Sequence, residues 1–239
     1  GVGVVPRILI AIPSYDGKVI CNLAVTMAEI FRVAESKGYE LFFHCRMFES
    51  VIQKSRNTLL AKAYKEKYDY IVFIDSDQAF TSSDFYKLLS HNVDCCGLPV
   101  ILKSDKETYN IQPFNPLKAL WDSELGLLEV EAVGTGFMKL SRKAIKILWD
   151  EAEPYTHKTQ GEIRNICQLR VEDGKFVGED WHLCGRLRAN GIPIYIDPTV
   201  TVEHVGTKKW TGDYIRYCEQ DRHKAGKGEP IESVTRPER

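Results

Sequence analysis

Two aspartates separated by one residue follow a strongly apolar run in this sequence. Asp75-Ser76-Asp77 comes directly after the letters YIVFI at residues 70–74, and the β-branched and aromatic content of that run predicts a buried strand. Carboxylates at positions i and i+2 of a turn can both reach one hard cation, which can then neutralise a departing diphosphate. Acidic turns after strands are common, so the triplet alone is equally explained as a turn that leads into a helix near Thr81.

A second pair of acids stands where a helix is predicted to begin, in Gly178-Glu179-Asp180-Trp181. The helix dipole stabilises carboxylates at a helix N-terminus, which is the ordinary explanation for such acids. The functional alternative is a general base that takes the proton of an acceptor hydroxyl. Taken alone, the pattern favours the dipole.

One arginine and one histidine extend the set of candidate residues. Arg56 lies in Ser55-Arg56-Asn57, and His204 follows a short predicted strand in Glu203-His204-Val205-Gly206. A guanidinium can pair with phosphate, and a neutral imidazole is a good ligand for Mn²⁺-like ions. A solvated arginine and a hydrogen-bonded histidine are the ordinary alternatives.

The elements that must position these residues alternate between strand and helix in the first half of the chain. This alternation predicts an α/β fold, in which a Rossmann-like, mostly parallel central sheet is flanked by helices. Ligands of such sheets bind beyond the carboxyl ends of the strands, which points to the loops at residues 13–17 and 75–78. We predict strands at residues 7–13, 40–44, 70–74, 93–98, 127–133, 194–196 and 200–202, and helices at 19–37, 50–67, 81–90, 141–149 and 179–189. Residues 103–125 are predicted to form an excursion or lid, and residues 151–175 to be polar loop.

The composition is that of an ordinary globular protein of 239 residues, with 44% hydrophobic and 27% charged residues. The net charge of -1 provides no global attraction to nucleic acid or anionic membranes, and no apolar run approaches the roughly 20 residues that span a bilayer. We predict a single domain over residues 1–223, with a nucleotide-binding half at about 6–100 and an acceptor half at about 101–223. Residues 224–239 are predicted to be a flexible tail.

The cysteines indicate a reducing compartment. Their number is seven, an odd count without a C-x-x-C pair, which predicts buried free thiols rather than disulfides or a zinc site. The first residues lack the basic-then-apolar layout of a signal peptide. We therefore expect a cytoplasmic protein, or one of the host cytoplasm if the source is viral. The cysteines are Cys21, Cys45, Cys95, Cys96, Cys167, Cys184 and Cys218.

Six segments, read in order, resemble one enzyme family. They are IPSYDG at 12–17, SRNTLLAKA at 55–63, IDSDQAF at 74–80, VGTGFMKLSRKAI at 133–145, GEDWHLCGRLRANG at 178–191 and PTVTVEHVG at 198–206. This ordered set resembles the nucleotide-sugar glycosyltransferases of the GT-A fold, close to the large inverting family two and most similar to its compact viral and bacterial members. The resemblance implies the GT-A fold for this chain.

The resemblance also implies a site on the donor side. It implies Mn²⁺ or Mg²⁺ held by Asp75, Asp77 and His204, with Asp77 as the direct ligand. Residues 208–210, Lys208-Lys209-Trp210, are implied to close over the diphosphate. The implied nucleotide-binding residues are Pro13, Tyr15, Arg56, Asp75, Ser76 and Asp77.

On the acceptor side, the resemblance implies that Gly134 and Gly136 form a turn beneath the acceptor sugar. It implies Asp180 as the catalytic base, with Glu179 as the adjacent candidate. Trp181 can stack on a sugar in the same region, although packing in the core explains it equally well.

We therefore expect a metal-dependent inverting glycosyltransferase that moves one sugar from a nucleoside-diphosphate sugar, expected to be a UDP-sugar, to a hydroxyl of a glycan or another acceptor. Two alternatives remain: the same chemistry on a hydroxymethylated base in DNA, and a non-catalytic module that binds sugar nucleotides or glycans. DNA is the less favoured acceptor because Asp213, Glu219 and Asp221 interleave with the basic residues after Thr207. A nucleotidyltransferase is also less favoured, because the first loop, IPSYDG, carries a single glycine.

Overall fold

The computed structural model describes residues 4–224 of the chain. The five predicted helices are all present within this range, and a sixth follows them near its end. The first is shorter than predicted, because residues 34–37 form a turn. In chain order the helices are α1 (Cys21–Val33), α2 (Ile52–Lys65), α3 (Ser82–Ser90), α4 (Arg142–Glu151), α5 (Glu179–Ala189) and α6 (Tyr214–Lys224).

The strands are more numerous than the sequence predicts. In chain order they are β1 (Arg7–Ser14), β2 (Glu40–Met47), β3 (Tyr70–Ile74), β4 (Gln78–Ala79), β5 (Cys95–Gly97), β6 (Ile111–Gln112), β7 (Leu120–Asp122), β8 (Leu127–Val130), β9 (Ala132–Val133), β10 (Phe137–Ser141), β11 (Pro154–His157), β12 (Gly161–Arg164), β13 (Arg170–Glu172), β14 (Lys175–Val177), β15 (Ile194–Ile196), β16 (Glu203–Val205) and β17 (Lys209–Trp210).

Eight strands form the central sheet, in the order β2-β1-β3-β10-β5-β15-β8-β7. Strands β2, β1 and β3 are parallel neighbours, and so are β5 and β15. Strand β10 lies between β3 and β5 and runs antiparallel to both, and β8 runs antiparallel to β15 and β7. Six strands thus point one way and two the other. This arrangement confirms the predicted α/β fold with a mostly parallel sheet and is consistent with a GT-A-like fold.

The sheet is covered on both faces, because side chains alternate along its buried strands. Leu9 and Ala11 of β1 pack on the face covered by α2, α4 and α5, whereas Ile8, Ile10 and Ile12 pack against α1 and α3. Residues 71–74 of β3 alternate in the same way and are all buried. The apolar YIVFI run is therefore a strand of the central sheet that is buried on both faces.

Side-chain hydrogen bonds cap the N-termini of α3 and α4. Thr81 accepts a hydrogen bond from the backbone N–H of Asp84, and the Asp84 carboxylate accepts one from the backbone N–H of Thr81. This reciprocal capping box is the predicted start of α3. The Ser141 hydroxyl likewise accepts a hydrogen bond from the backbone N–H of Ala144 and caps α4.

The structure differs from the predicted elements in four places. Residues 151–175, predicted to be polar and loop-rich, form parts of two hairpins, β11 with β12 and β13 with β14. Within residues 103–125, predicted to be an excursion or lid, β7 pairs with β8 at the edge of the central sheet. Residues 200–202 do not form a strand, since only Val202 takes part, in an isolated bridge to Val100. Strand β10 was not foreseen, because its letters FMKLS carry a lysine that the fold buries.

The cysteines divide by position. None of the seven is in a disulfide. Burial is confirmed for four of them, but Cys21 is exposed at the start of α1, and Cys45 and Cys218 are half-buried.

Among residues 4–224, no helix has the length and apolar character to cross a membrane. The predicted tail lies outside the described residues, except for Lys224, which ends α6.

Candidate active site

The candidate site lies where β3 ends, β10 begins and α5 starts. The backbone N–H of Asp75 donates to the carbonyl of Gly136 at 2.9 Å, which ties the Asp75-Ser76-Asp77 turn to the chain entering β10. The candidate side chains come from this turn and from α2, α5 and β16. The location agrees with the rule that α/β sheets bind ligands beyond the carboxyl ends of their strands.

A buried arginine organises one side of the site. Arg56 of α2 is 6% exposed, and its Nη1 donates to Glu179 Oε1. Its Nη2 donates to Asp75 Oδ1 at 3.0 Å, and Nη1 lies 3.8 Å from Asp180 Oδ1. We call Arg56, Asp75, Glu179 and Asp180 the Arg56 cluster. One guanidinium thus holds together the acids that the sequence placed in two distant motifs.

The Asp180 carboxylate is held in a fixed orientation. The Thr135 backbone N–H donates to Oδ2 at 3.2 Å, and the Thr135 hydroxyl donates to Oδ1 at 3.0 Å. The carboxylate retains partial exposure, whereas Glu179 is buried against Arg56. Of the two adjacent acids, Asp180 is therefore the one that a ligand can reach.

Burial raises the pKa values of the two acids at the start of α5. Burial raises the pKa of Asp180, and neither Arg56 nor the hydrogen bonds from Thr135 fully offset the effect. Burial likewise raises the pKa of Glu179. Burial alone disfavours the charged form of Arg56, but Asp75, Asp180 and Glu179 outweigh it and raise the pKa of its guanidinium. Arg56 therefore stays charged beside Glu179 and Asp180, whose carboxylates bind protons more tightly than usual.

Two glycines make the close approach of these groups possible. A Cβ at Gly136 would lie 2.8 Å from Gln78 Nε2 and 3.0 Å from Asp75 Oδ2. A Cβ at Gly134 would lie 2.8 Å from Asn110 Nδ2 and 3.2 Å from Asp180 Oδ2. Both glycines are thus required by the side chains around them, and the turn they form lies directly beside Asp75 and Asp180.

Asp77, His204 and Lys103 form a second cluster, whose side chains are more exposed than Arg56. Asp77 Oδ1 lies 3.1 Å from His204 Nε2, and Asp77 Oδ2 accepts a hydrogen bond from Lys103 Nζ at 2.5 Å. We call these three residues the Asp77 cluster. Although burial opposes it, the hydrogen bonds from His204 and Lys103 lower the pKa of Asp77 to about 2. Asp77 is consequently an anion at any physiological pH.

His204 is oriented for ligation by a backbone contact. Its Nδ1 lies 3.0 Å from the carbonyl oxygen of Ile101. A metal ion held by Asp77 and His204 would take the place of the proton that Nε2 donates to Asp77, while a proton on Nδ1 keeps its hydrogen bond to the Ile101 carbonyl. One carboxylate and one imidazole are a donor set suited to Mn²⁺ or Mg²⁺, with further positions left to phosphate oxygens and water.

Asp75 does not join the other two predicted metal ligands. Its carboxylate pairs with Arg56, while Asp77 and His204 contact each other. Within residues 4–224, no three His, Cys, Asp or Glu side chains form a group that could hold a metal ion. The predicted set of Asp75, Asp77 and His204 is thus assembled only as the pair of Asp77 and His204.

The remaining predicted site residues have varied surroundings. Pro13 is buried at the end of β1, opposite Arg46 of β2, while the ring of Tyr15 is 72% exposed beyond the strand. The Ser76 carbonyl accepts a hydrogen bond from the backbone N–H of Ile20 at 3.1 Å. Trp181 is partly buried against the core on the α2, α4 and α5 face.

Three residues of the site were missed by the sequence reasoning. Thr135 orients Asp180, and its position between the two glycines was the only signal for it. Asn57 is buried and its side chain accepts hydrogen bonds from the backbone N–H groups of Ile166 and Cys167, which anchors the chain leading to α5. Lys103 reaches Asp77 from a loop whose letters carry no recognisable motif.

The structure is similar to solved structures. The crystal structure of A197 from STIV has 15% identity over 84% of this chain and 86% of that chain, with a TM-score of 0.48. The crystal structure of S. aureus TarS 1–349 has 10% identity over 90% of this chain and 65% of that chain, with a TM-score of 0.43. A glycosyltransferase involved in the glycosylation of the major capsid of PBCV-1 has 15% identity over 61% of this chain and 66% of that chain, with a TM-score of 0.28.

The chain therefore spans about two thirds of the length of the second and third of these structures. No family model matches the chain, and no curated protein matches it either. Because all three similarities are distant, the assignment of an activity has to rest on the site itself.

Proposed function

We propose that this chain is a metal-dependent inverting glycosyltransferase that moves one sugar from a nucleoside-diphosphate sugar, expected to be a UDP-sugar, to an acceptor hydroxyl. The observation that carries the proposal is the position of Asp180. It stands partly exposed at the first turn of α5, with its orientation set by Thr135 and its pKa raised, and Asp75, from the turn that carries Asp77, lies in the same cluster.

Asp180 is the general base of the proposed reaction. Its carboxylate accepts the proton of the acceptor hydroxyl, and the oxygen attacks the anomeric carbon of the donor sugar from the face opposite the diphosphate. The bond from that carbon to the diphosphate oxygen breaks, and its electron pair leaves with the diphosphate. A single displacement inverts the anomeric centre. A raised pKa makes Asp180 a stronger base than an ordinary aspartate.

Arg56 is a positioning residue in this proposal. Its guanidinium is buried and already contacts carboxylates, so it acts through Asp75 and Asp180 rather than on a phosphate. Its charge also opposes the effect of burial on the pKa of Asp180 and favours the ionised carboxylate. Glu179 anchors the opposite side of the guanidinium and is the less accessible acid.

Asp77 and His204 would hold the divalent cation. When bound, Mn²⁺ or Mg²⁺ supplies positive charge that stabilises the departing diphosphate. Asp77 contributes an ionised carboxylate, and His204 contributes Nε2, with its ring held through Nδ1 by the Ile101 carbonyl. Asp75 remains in the Arg56 cluster and shapes the turn that presents Asp77.

A panel of sugar nucleotides tests this proposal. Thermal unfolding and calorimetry with UDP-, GDP-, dTDP- and CMP-sugars, each in Mn²⁺, Mg²⁺ or EDTA, should show stabilisation by one nucleotide class that EDTA abolishes. A ligand at a hundred times its Kd stabilises the folded state by about 2.7 kcal/mol. Asp77→Ala should lose the effect, and the exposed carboxylate variant Glu124→Ala should keep it. Stabilisation by no nucleotide, or unchanged binding by Asp77→Ala in Mn²⁺, would contradict the proposal.

A further inference from the structure

Lys103 occupies one oxygen of the carboxylate that the proposed function assigns to a metal ion. Its ammonium contacts Asp77 Oδ2, while His204 faces Oδ1. The side chains of Lys103 and Asp77 are both about one third exposed, at 38% and 31%. The lysine is therefore close enough to neutralise Asp77 and exposed enough to move away from it.

The backbone around Lys103 is anchored, whereas its side chain is long. The backbone N–H of Leu102 donates to the Thr108 carbonyl at 2.9 Å, and Ile101 forms an isolated bridge with Tyr109. The same Ile101 carbonyl orients His204. Lys103 therefore starts from a fixed point beside the site, and its flexible four-carbon stem can carry the ammonium over several ångströms.

A second segment meets Lys103 above Asp77. A Cβ at Gly206 would lie 3.6 Å from both Cε and Nζ of Lys103. Lys208 of the same segment reaches across to Asp105, with Nζ 3.2 Å from Oδ1. The loop that carries Lys103 and the segment after β16 thus approach each other over Asp77, which is where a diphosphate bound through Asp77 and His204 would lie.

We propose that Lys103 is a displaceable cation of the donor site. Its ammonium neutralises Asp77 in the free protein, leaves when a divalent cation binds that carboxylate, and then donates to the diphosphate. This inference rests on the proposed function. The physical reason is exchange: a divalent cation displaces the ammonium from one carboxylate, and the diphosphate offers it a more highly charged acceptor nearby.

Binding measurements without turnover test the inference. The variants are Lys103→Met, Lys103→Arg and the control Lys106→Met, which removes an exposed lysine of the same loop. Mn²⁺ alone should bind Lys103→Met about threefold more tightly than wild type, by electron paramagnetic resonance of free Mn²⁺, because a competing ion pair is lost. UDP in saturating Mn²⁺ should bind Lys103→Met about tenfold more weakly, by calorimetry, because a charge-assisted hydrogen bond is lost.

The other two variants sharpen the expectation. Lys103→Arg keeps a competing charge, so its affinity for Mn²⁺ alone should stay near that of wild type. Lys106→Met should match wild type in both measurements. Thermal unfolding of each variant without ligand establishes that the fold is retained.

Failure of this inference can be told apart from failure of the proposed function. If wild type binds UDP only with Mn²⁺ but Lys103→Met binds Mn²⁺ and UDP with unchanged affinities, Lys103 has no such role. If Lys103→Met binds Mn²⁺ more weakly, the lysine assists the metal rather than competing with it, and the inference is overturned. If wild type binds UDP equally well in EDTA and in Mn²⁺, the proposed metal site and the inference both fail.

Discussion

The Arg56 cluster and the Asp77 cluster are linked through the Asp75-Ser76-Asp77 turn and differ in how complete they are. In the first, a buried guanidinium already contacts three carboxylates, and Thr135 fixes the orientation of the partly exposed acid. In the second, one carboxylate lies between an imidazole and a partly exposed ammonium. The first is assembled by helices and the central sheet, whereas the second depends on short strands and a loop.

Under the proposed function, this difference separates the work of orientation from the work of charge. A base must be held within a narrow range of positions before the acceptor arrives, so its supporting contacts are buried and permanent. A site for a leaving diphosphate must open and close with each turnover, so part of it is left for the ligand to complete. The pKa values follow the same division, raised for Asp180 and lowered for Asp77.

The largest expected effect comes from removing the proposed base by a substitution that keeps the shape of its side chain. Asp180→Asn replaces the carboxylate by an amide of the same shape, so the fold should survive, but the side chain can no longer accept the proton. We expect kcat to fall by about a thousandfold with nucleotide affinity nearly unchanged, measured by initial rates and calorimetry. The control Asp173→Asn, in the exposed turn between β13 and β14, should retain full activity. Activity surviving in Asp180→Asn would identify another base, with Glu179 the first candidate.

Removing the centre of the Arg56 cluster should affect stability rather than only turnover. Arg56→Met leaves Asp75, Glu179 and Asp180 without their shared counter-ion, and an uncompensated buried charge is costly. We expect the free energy of unfolding in urea to fall by about 3 kcal/mol. Arg170→Met, which breaks an exposed pair with Glu172, should cost at most about 1 kcal/mol. Equal effects of the two substitutions would show that the Arg56 cluster is no more than a surface network.

Gly136, beside Asp75, offers a smaller perturbation of the site. Gly136→Ala places a methyl group against Gln78 Nε2 and Asp75 Oδ2, so we expect a loss of stability of about 1–3 kcal/mol together with lower activity. Gly185→Ala is the matched control, because the nearest atom to its added methyl is 3.9 Å away, at Arg188 Nη2. That variant should be neutral or more stable, since alanine is the better helix former. Thermal unfolding of both variants decides whether close approach, rather than loss of glycine itself, is responsible.

The smallest expected effect is on the pH dependence of activity and stability, which has opposite signs for Asp180 and Asp77. Because the pKa of Asp180 is raised, kcat/KM should rise with pH through a pKa above the usual aspartate value, and Asp180→Asn should lose this limb. The folded state holds this proton more tightly than the unfolded chain, so the contribution of Asp180 to stability falls as pH rises through the same range. Asp77 has the opposite sign: its contribution is present above the usual aspartate value and is lost as pH falls toward about 2. An acidic limb unchanged in Asp180→Asn would assign it to another group.

Much of the fold could be predicted from local patterns. The apolar run before Asp75, the Thr81 and Asp84 capping box and the acids opening α5 each specify an element through neighbouring residues. The hairpins between residues 151 and 177 and strand β10 could not be predicted, because their sequences are polar or mixed. Their pairing is determined by the partner strand rather than by their own apolar periodicity.

The candidate site divides in the same way. The residue types at the ends of the elements can be read from the sequence, so Asp75, Asp77, Asp180 and His204 could be named as candidates. Their partners follow from the packing of distant elements: Arg56 meets Glu179 from 123 positions away, Asp75 turns to Arg56 rather than to His204, and Lys103 reaches Asp77. The physical reason is that side-chain identity and helix or strand propensity are local properties, whereas the partner of a charge depends on which elements the packed core brings together.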